Sequence, residues 1–317
     1  MKYLQFSNGD QLPMLGLGTW KSKSGEAYDA IREAVRIGYR HIDCAAIYGN
    51  EPEIGDALAD GITAGDTSRQ ELWITSKLWN NSHRAVDVEP ALKQTLADLK
   101  LDFLNLYLIH WPIAFKPGVE FPTSRDDYYS PDQVSISETW HALEACVEKG
   151  LVRHIGVSNF STRKLQSILD DCNVRPAVNQ VELHPLLSQG KLKVFCDKNR
   201  ILLTAYSPLG SRDRAAAFKA KDEPDMFQLE AIKDIAVARG CSPAQVLLAW
   251  AVNRGTVVIP KSVSPAHLLS NLESIKIELG DSEMNRIDSL DRHYRFINGS
   301  FFAGKNSPHT IGGIWDE

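Results

Sequence analysis

A chain of 317 residues with 43% hydrophobic and 24% charged residues has the makeup of an ordinary globular protein, long enough to bury a large core without disulfide or metal staples. A net charge of −5 offers no basic footprint for nucleic acid, and the apolar runs "FLNLYLIHW" and "VLLAWAV" are too short to span a bilayer. The five cysteines form no Cys-x-x-Cys pair and the N-terminus has no apolar signal core, so reduced thiols and a cytoplasmic setting are expected.

The chain opens on "LQFSNGDQLPML", which predicts a small hairpin turning at Asn8-Gly9. Short apolar runs then alternate with amphipathic stretches. Strand-like runs cover 15–18, 39–43, 72–77, 104–110, 154–158, 177–181, 201–206 and 256–260. Helices are expected at 25–37, 51–64, 84–99, 138–149, 162–171, 189–199, 226–239 and 265–275. Ile54, Ala57, Leu58 and Ile62 share one face of the second, and Trp140, Leu143 and Val147 one face of the fourth. Ser135 and Glu138 fit a capping box ahead of the fourth, and Gly150 fits its stop. Longer irregular stretches fall at 112–134 and 207–225, and the tail, 291–317, is also irregular.

Eight strand–helix units predict an α/β fold, a (β/α)8 TIM barrel with an N-terminal β-hairpin and long loops at its C-terminal face. The chain is expected to form one domain over 1–317, with 291–317 as a tail shaping the substrate pocket. A doubly wound sheet would need a glycine-rich fingerprint after its first strand. "LGLGTWK" supplies Gly16 and Gly18 but has Lys21 where the third glycine belongs.

In a parallel barrel the C-terminal ends of the strands feed the catalytic face. Those ends carry Asp43 and Tyr48, Lys77, His110, Ser158 and Asn159, Gln180, Tyr206 and Ser207, and Lys261 and Ser262. An acid, a phenol, an ammonium and an imidazole brought to one face suit carbonyl reduction. Hydride arriving at a carbonyl carbon leaves charge on the oxygen, which needs a proton donor. A tyrosine with an ordinary pKa of about 10 is a reluctant acid, and a neighbouring lysine eases its proton away. Asp43 would hold Lys77 in place and charged, and His110 would orient the carbonyl by a hydrogen bond. Singly, each residue has an ordinary reading: Tyr48 as packing, Lys77 or His110 as a solvated or capped group, Asp43 as a partner for a backbone amide. The four together on one predicted face carry the inference.

Seven separated motifs, "GLGTW", "GYRHIDCAAIYGNE", "ITSKLWN", "LYLIHWP", "GVSNF", "AYSPLGS" and "IPKS", together resemble the aldo-keto reductase superfamily, in its branch of aldose, aldehyde and xylose reductases. The resemblance implies NADPH-dependent reduction of aldehydes, open-chain aldoses included, with Tyr48 as general acid; some use of NADH is expected from a departure at His267. It implies that Ser158, Asn159 and Gln180 hold the nicotinamide carboxamide and that Tyr206 stacks on the ring. Ser207, Leu209 and Ser211 would contact the pyrophosphate, and Lys261, Ser262 and Asn271 the adenosine end. Asp213 would close over the pyrophosphate with Lys21 and Lys261 as partners. Many relatives carry an arginine one turn into the helix at 265–275, where this chain has His267, so a weaker grip on the 2′-phosphate is expected. Trp20, Trp79 and Trp111 match an aromatic substrate pocket, and Asn298 of "RFING" would reach the substrate. The tail "FFAGKNSPHTIGGIWDE" departs from aldose reductase tails and leaves substrate choice open.

The histidines are scattered without ligand spacing, so no metal site is expected. The expected partner is a small-molecule carbonyl, with no nucleic acid and no membrane, for a monomer or weak dimer. One rival is a cofactor-binding regulatory barrel without significant turnover, against which the complete set of four residues argues. Another is a barrel hydrolase, which would need a second carboxylate beside Asp43 or metal ligands.

Overall fold

The computed structural model describes residues 1–212, 214 and 219–317. Strands β1 (Tyr3–Gln5) and β2 (Gln11–Pro13) form the expected antiparallel hairpin, with Leu4 opposite Leu12. Gly9 sits in its turn at φ 91°, a left-handed conformation open to glycine at little cost. Eight further strands run parallel in chain order: β3 (Leu17–Gly18), β4 (His41–Asp43), β5 (Trp73–Leu78), β6 (Leu104–Ile109), β7 (Val152–Ser158), β8 (Val178–Glu182), β9 (Leu202–Tyr206) and β10 (Val257–Val258). The two ends of this sheet meet. Gly16 N–H donates to the Val258 carbonyl at 2.8 Å, Val258 N–H donates to the Met14 carbonyl at 2.9 Å, and Gly18 bridges Lys261. The sheet is therefore a closed barrel, and a doubly wound sheet is excluded.

Helices surround it: α1 (Glu26–Ile37), α2 (Glu51–Thr63), α3 (Ala85–Asp98), α4 (Ile136–Glu148), α5 (Thr162–Leu169), α6 (Gly190–Lys198), α7 (Glu230–Arg239), α8 (Pro243–Asn253), α9 (Pro265–Ser274), α10 (Asp281–Asp288) and α11 (Ile311–Trp315). Three of them have no counterpart in the expected pattern. All seven residues from Val246 to Val252 of α8 are buried, so the helix shows no apolar stripe to read. The opposite holds for α10, where Ile287 is the buried residue of a polar octet. The third, α11, forms inside the tail expected to be irregular. Ahead of α4, Ser135 accepts from Glu138 N–H at 3.0 Å, but the Glu138 carboxylate does not return to close the box. It accepts instead from Ala85 N–H at 3.0 Å, capping the neighbouring α3. Among the described residues, no single helix is long and apolar enough to cross a membrane.

The barrel lumen changes character along its axis. Leu12 of the hairpin closes the N-terminal end against Trp73, Leu106, Leu108, Val178 and Val257, and Phe6 stacks on Trp73 and His154 at 5.5 and 4.4 Å. Strands alternate their side chains, so Thr75 and Lys77 follow Trp73 up the same face of β5, while Ser76 points outward to the helices. Thr75 meets His41 at 3.2 Å, and Lys77 meets Asp43 at the C-terminal mouth. A side chain at Gly156 would put its Cβ 2.4 Å from the Val178 carbonyl, so β7 and β8 approach closely only because that position is glycine.

Behind β5, Glu51 at the start of α2 accepts from Ser76 Oγ and from Thr95 Oγ1 of α3. Burial pushes its carboxyl up to about 7 from an ordinary 4.5, against the pull of those two hydroxyls. The folded value lies above the unfolded one. Stability from the protonated carboxyl is therefore complete below pH 4.5 and lost as pH rises through 7. Glu51→Gln keeps a polar group for both hydroxyls and removes this titration. Its Tm at pH 8 is expected to exceed that of the wild type by about 5 °C, with little difference at pH 5. Calorimetry at the two pH values checks this, and a parallel loss in both proteins would refute it.

Candidate active site

The C-terminal ends of the strands open into a cavity of about 530 Å³. Asp43 ends β4, and two residues beyond its register partner Thr75 stands Lys77, on the same face of β5. Lys77 Nζ lies 2.6 Å from Asp43 Oδ2 and 2.8 Å from the Cys44 carbonyl, with its side chain 0% exposed. After β4 the chain makes a short 3-10 turn, Ala46–Tyr48, and leaves it through Gly49 at φ 68°. Asn50 Nδ2 ties that turn to the Thr19 carbonyl at 2.9 Å. The turn sets the Tyr48 ring over Lys77, whose Nζ is 5.2 Å from the ring centroid. His110, just past β6, meets Tyr48 edge-on at 5.8 Å and Trp79 at 5.2 Å.

Electrostatics separate the roles of these groups. Burial works against the Lys77 ammonium, but the charge of Asp43 and then Tyr48 outweigh it and hold Lys77 above its ordinary value, so it stays charged. Burial drives His110 well below its ordinary value, with Lys77 and His83 adding to the shift, so the imidazole is neutral. Burial also raises Tyr48, while Lys77 pulls it down. The net direction is upward: loss of water outweighs the neighbouring cation, whose own pull is downward as the sequence suggested.

A single hydrogen-bonded chain links five strands beside this set. Tyr206 OH donates to Asn159 Oδ1 at 2.7 Å, and Asn159 Nδ2 donates to the His110 carbonyl at 3.0 Å and to Ser158 Oγ at 3.2 Å. Ser158 Oγ donates to the Gln180 carbonyl at 2.8 Å, and Gln180 Nε2 donates to Asp43 Oδ1 at 2.7 Å. Lys21, Asn159 and Ser207 all line the cavity with φ values of 62°, 66° and 47°. Left-handed backbone is uncommon outside glycine, and it collects where a site constrains the chain.

Of the residues singled out in the sequence, Asp43, Tyr48 and His110 line the cavity, and Lys77 lies buried directly beneath. Lys21, Ser158, Asn159, Gln180, Tyr206, Ser207, Leu209, Ser211 and Lys261 also line it, as do Trp20, Trp79, Trp111 and Asn298. Ser262, His267 and Asn271 sit outside that lining, on and beside α9. Ser262 Oγ accepts from Ser264 N–H at 3.2 Å, His267 is exposed on the first turn, and Asn271 is buried. Asn298 is exposed at the rim, its Oδ1 taken by Ser300 N–H at 3.0 Å. Asp213 falls outside the described residues. The expected pattern did not include Thr19, Ile47, Phe121, Arg214, Phe296, Ile297, Ser300 and Phe301, which line the cavity as well. Phe121 and Phe301 lie in the two irregular stretches at 112–134 and 291–317. An aromatic residue in a long polar loop was the available signal. Among the described residues, no group of three or more His, Cys, Asp or Glu is placed to hold a metal.

Fold and site together define a barrel protein with an ion-paired lysine beneath a tyrosine and a neutral histidine at its C-terminal mouth. The chain belongs to the Aldo/keto reductase family, a family of oxidoreductases whose model matches residues 14–292. It is 55% identical over 317 residues to an aldo/keto reductase of Synechocystis sp., covering 100% of this chain and 97% of that relative. It is 48% identical over 307 residues to aldo-keto reductase family 1 member A1 of Homo sapiens, covering 96% and 94%. The solved structure of the aldose reductase from Schistosoma japonicum matches with a TM-score of 0.87 at 36% identity, over 97% of this chain and 98% of that one.

Proposed function

We propose that this protein is an NADPH-dependent reductase of aldehydes, open-chain aldoses included, with Tyr48 as the general acid. The observation that carries the reading is the Lys77 ammonium, clamped by Asp43 at 2.6 Å under the Tyr48 ring and beside a neutral His110. Tyr48, an ordinary phenol raised further by burial, is protonated at neutral pH, the state a donor requires. Lys77 then stabilises the phenolate left behind. His110 donates from its imidazole to the carbonyl oxygen and orients it. Trp20, Trp79 and Trp111 flank the reacting groups and exclude water.

The cavity suits a nicotinamide dinucleotide. Ser158, Asn159 and Gln180 present amide and hydroxyl groups on one wall for the carboxamide, and the Tyr206 ring forms the adjacent face. Ser207, Leu209 and Ser211 supply a polar turn for the pyrophosphate, with Lys21, Lys261 and Asp213 proposed as the clasp over it. The adenosine end falls to Lys261, Ser262, His267 and Asn271. There Ser264 caps α9 without a side-chain bond and Pro265 follows, which leaves amides of the first turn for a phosphate. Bound in this way, NADPH supplies the hydride that reduces the carbonyl carbon.

The lining near the mouth is largely aromatic and apolar, with Phe121 and Phe301 exposed at 60% and 42%. Hydroxyl partners there come from Asn298 and Ser300. An aldose would leave hydroxyls unpaired against such a wall, so apolar aldehydes should show the higher kcat/KM. A panel of aldehydes and aldoses followed by NADPH absorbance tests the function. Tight cofactor binding with no turnover of any substrate would favour the regulatory-barrel rival.

His267→Arg is expected to raise the kcat/KM ratio of NADPH over NADH at pH 7.5, because a guanidinium grips phosphate oxygens through bidentate contacts that an imidazole cannot make. A ratio unmoved by the arginine would show that this position does not read the phosphate.

A further inference from the structure

Asp43 is not the only carboxylate buried at the C-terminal mouth. Glu182 ends β8 with its side chain 0% exposed, and the chemistry proposed above does not use it. Its Oε1 accepts from Phe296 N–H at 2.6 Å and lies 2.8 Å from His184 Nε2, and its Oε2 accepts from Ile297 N–H at 2.7 Å. A carboxylate in such a place is costly unless fully bonded, and these partners satisfy both oxygens. Two successive backbone amides, 114 and 115 residues along the chain, converge on one side chain. That convergence fixes both the position and the direction of the tail where it enters the cavity wall.

The same peptide segment is held from its other side. Arg214 Nη1 donates to the Phe296 carbonyl at 2.8 Å while its Nε donates to the Ser211 carbonyl at 3.1 Å. The Phe296 ring lies 4.9 Å from the His184 ring and 5.1 Å from the Tyr294 ring. Phe296, Ile297 and Asn298 all line the cavity. Beyond them the chain is next tied down where Trp315 Nε1 donates to the Asn298 carbonyl at 2.8 Å.

We propose that Glu182 is a positioning residue that determines substrate specificity by pinning the Phe296–Ile297 peptides, and with them the tail side of the substrate wall. The proposal rests on reading the cavity as the aldehyde site. The Glu182 carboxylate makes no hydrogen bond to the four polar groups and borders the nicotinamide site only through its strand neighbour Tyr206, so its effect falls on substrates large enough to reach the tail. A short aldehyde does not reach it.

The test compares wild type with Glu182→Gln, which turns an NH2 toward one of the two amides and withdraws its acceptor. Propanal serves as the short substrate and 2-naphthaldehyde as the bulky one. The KM for naphthaldehyde is expected to rise about ten-fold, with kcat and the KM for propanal within about two-fold of wild type and NADPH affinity unchanged. Hydrogen exchange at the Phe296 and Ile297 amides should quicken by about ten-fold or more, with the barrel strands unaffected. A side chain that merely stabilised the fold would alter both aldehydes alike. An equal change for the two, or an unchanged KM ratio, therefore overturns the proposal. If Glu182→Gln does not fold, Arg214→Met removes the bond on the other side of the same peptide. It is expected to shift the KM ratio in the same direction, and an unmoved ratio in that variant counts against the proposal equally. Wild-type protein that reduces neither aldehyde would instead refute the aldehyde-site reading and the specificity role with it. The exchange rates would still report whether Glu182 pins the tail.

Discussion

Tyr48→Phe is expected to lower kcat by about 10²-fold or more while leaving NADPH binding intact, the usual consequence of losing a general acid. The substitution removes one oxygen from a ring whose packing is otherwise kept. Trp20 remains 6.5 Å away and His110 5.8 Å away, so the cavity keeps its shape. Lys77 stays paired to Asp43 and charged, and the neutral His110 still offers a hydrogen bond to the carbonyl. The developing alkoxide then has no proton donor within the set, because an ammonium clamped to a carboxylate and a backbone carbonyl is poorly placed to give up its proton. Steady-state turnover with an aldehyde, together with cofactor titration by tryptophan fluorescence, checks both halves. Turnover near the wild-type level would remove Tyr48 from the mechanism.

Lys77→Met should have the largest combined effect, on stability as well as on activity. The pair it breaks is buried on both sides, at 0% and 3% side-chain exposure. Removing the ammonium leaves the Asp43 carboxylate with Gln180 Nε2 at 2.7 Å as its remaining side-chain donor. An uncompensated buried charge of this kind costs about 3–5 kcal/mol. Tyr48 also loses the cation that opposes its burial, so its pKa climbs further and kcat falls by at least about 10²-fold. A denaturation cycle separates the pair from its parts: Asp43→Asn with Lys77→Met removes both charges of the pair, and the double variant should recover much of the stability lost by Lys77→Met alone. If the two losses simply add, the pair is not coupled in the way its geometry implies.

Much of the candidate site was legible because a parallel barrel delivers its strand ends to one face. Asp43, Lys77 and His110 stand at or just past the ends of apolar runs, and alternation along β5 turns Lys77 toward the lumen and Ser76 away from it. Tyr48 follows a short turn from Asp43, a distance that chain connectivity alone keeps local. The barrel was legible for the same reason, since amphipathic helices such as α1 and α2 bury one stripe and show the other. α8 was not, because a helix buried on every side carries no stripe.

The order of strands, the closed parallel sheet and the identity of the four polar groups were thus determined by the sequence itself, through periods of 2 and 3.6 residues that local geometry imposes. Tertiary structure decided what depends on distance in space rather than along the chain. It decided that burial outweighs Lys77 in setting the direction of the Tyr48 shift, since desolvation is a property of everything packed around the phenol. It decided that Glu138 caps α3 rather than completing its own box. It also decided that Glu182 holds the tail, because a carboxylate and two amides more than a hundred residues apart have no pattern in common until the fold brings them within hydrogen-bonding reach.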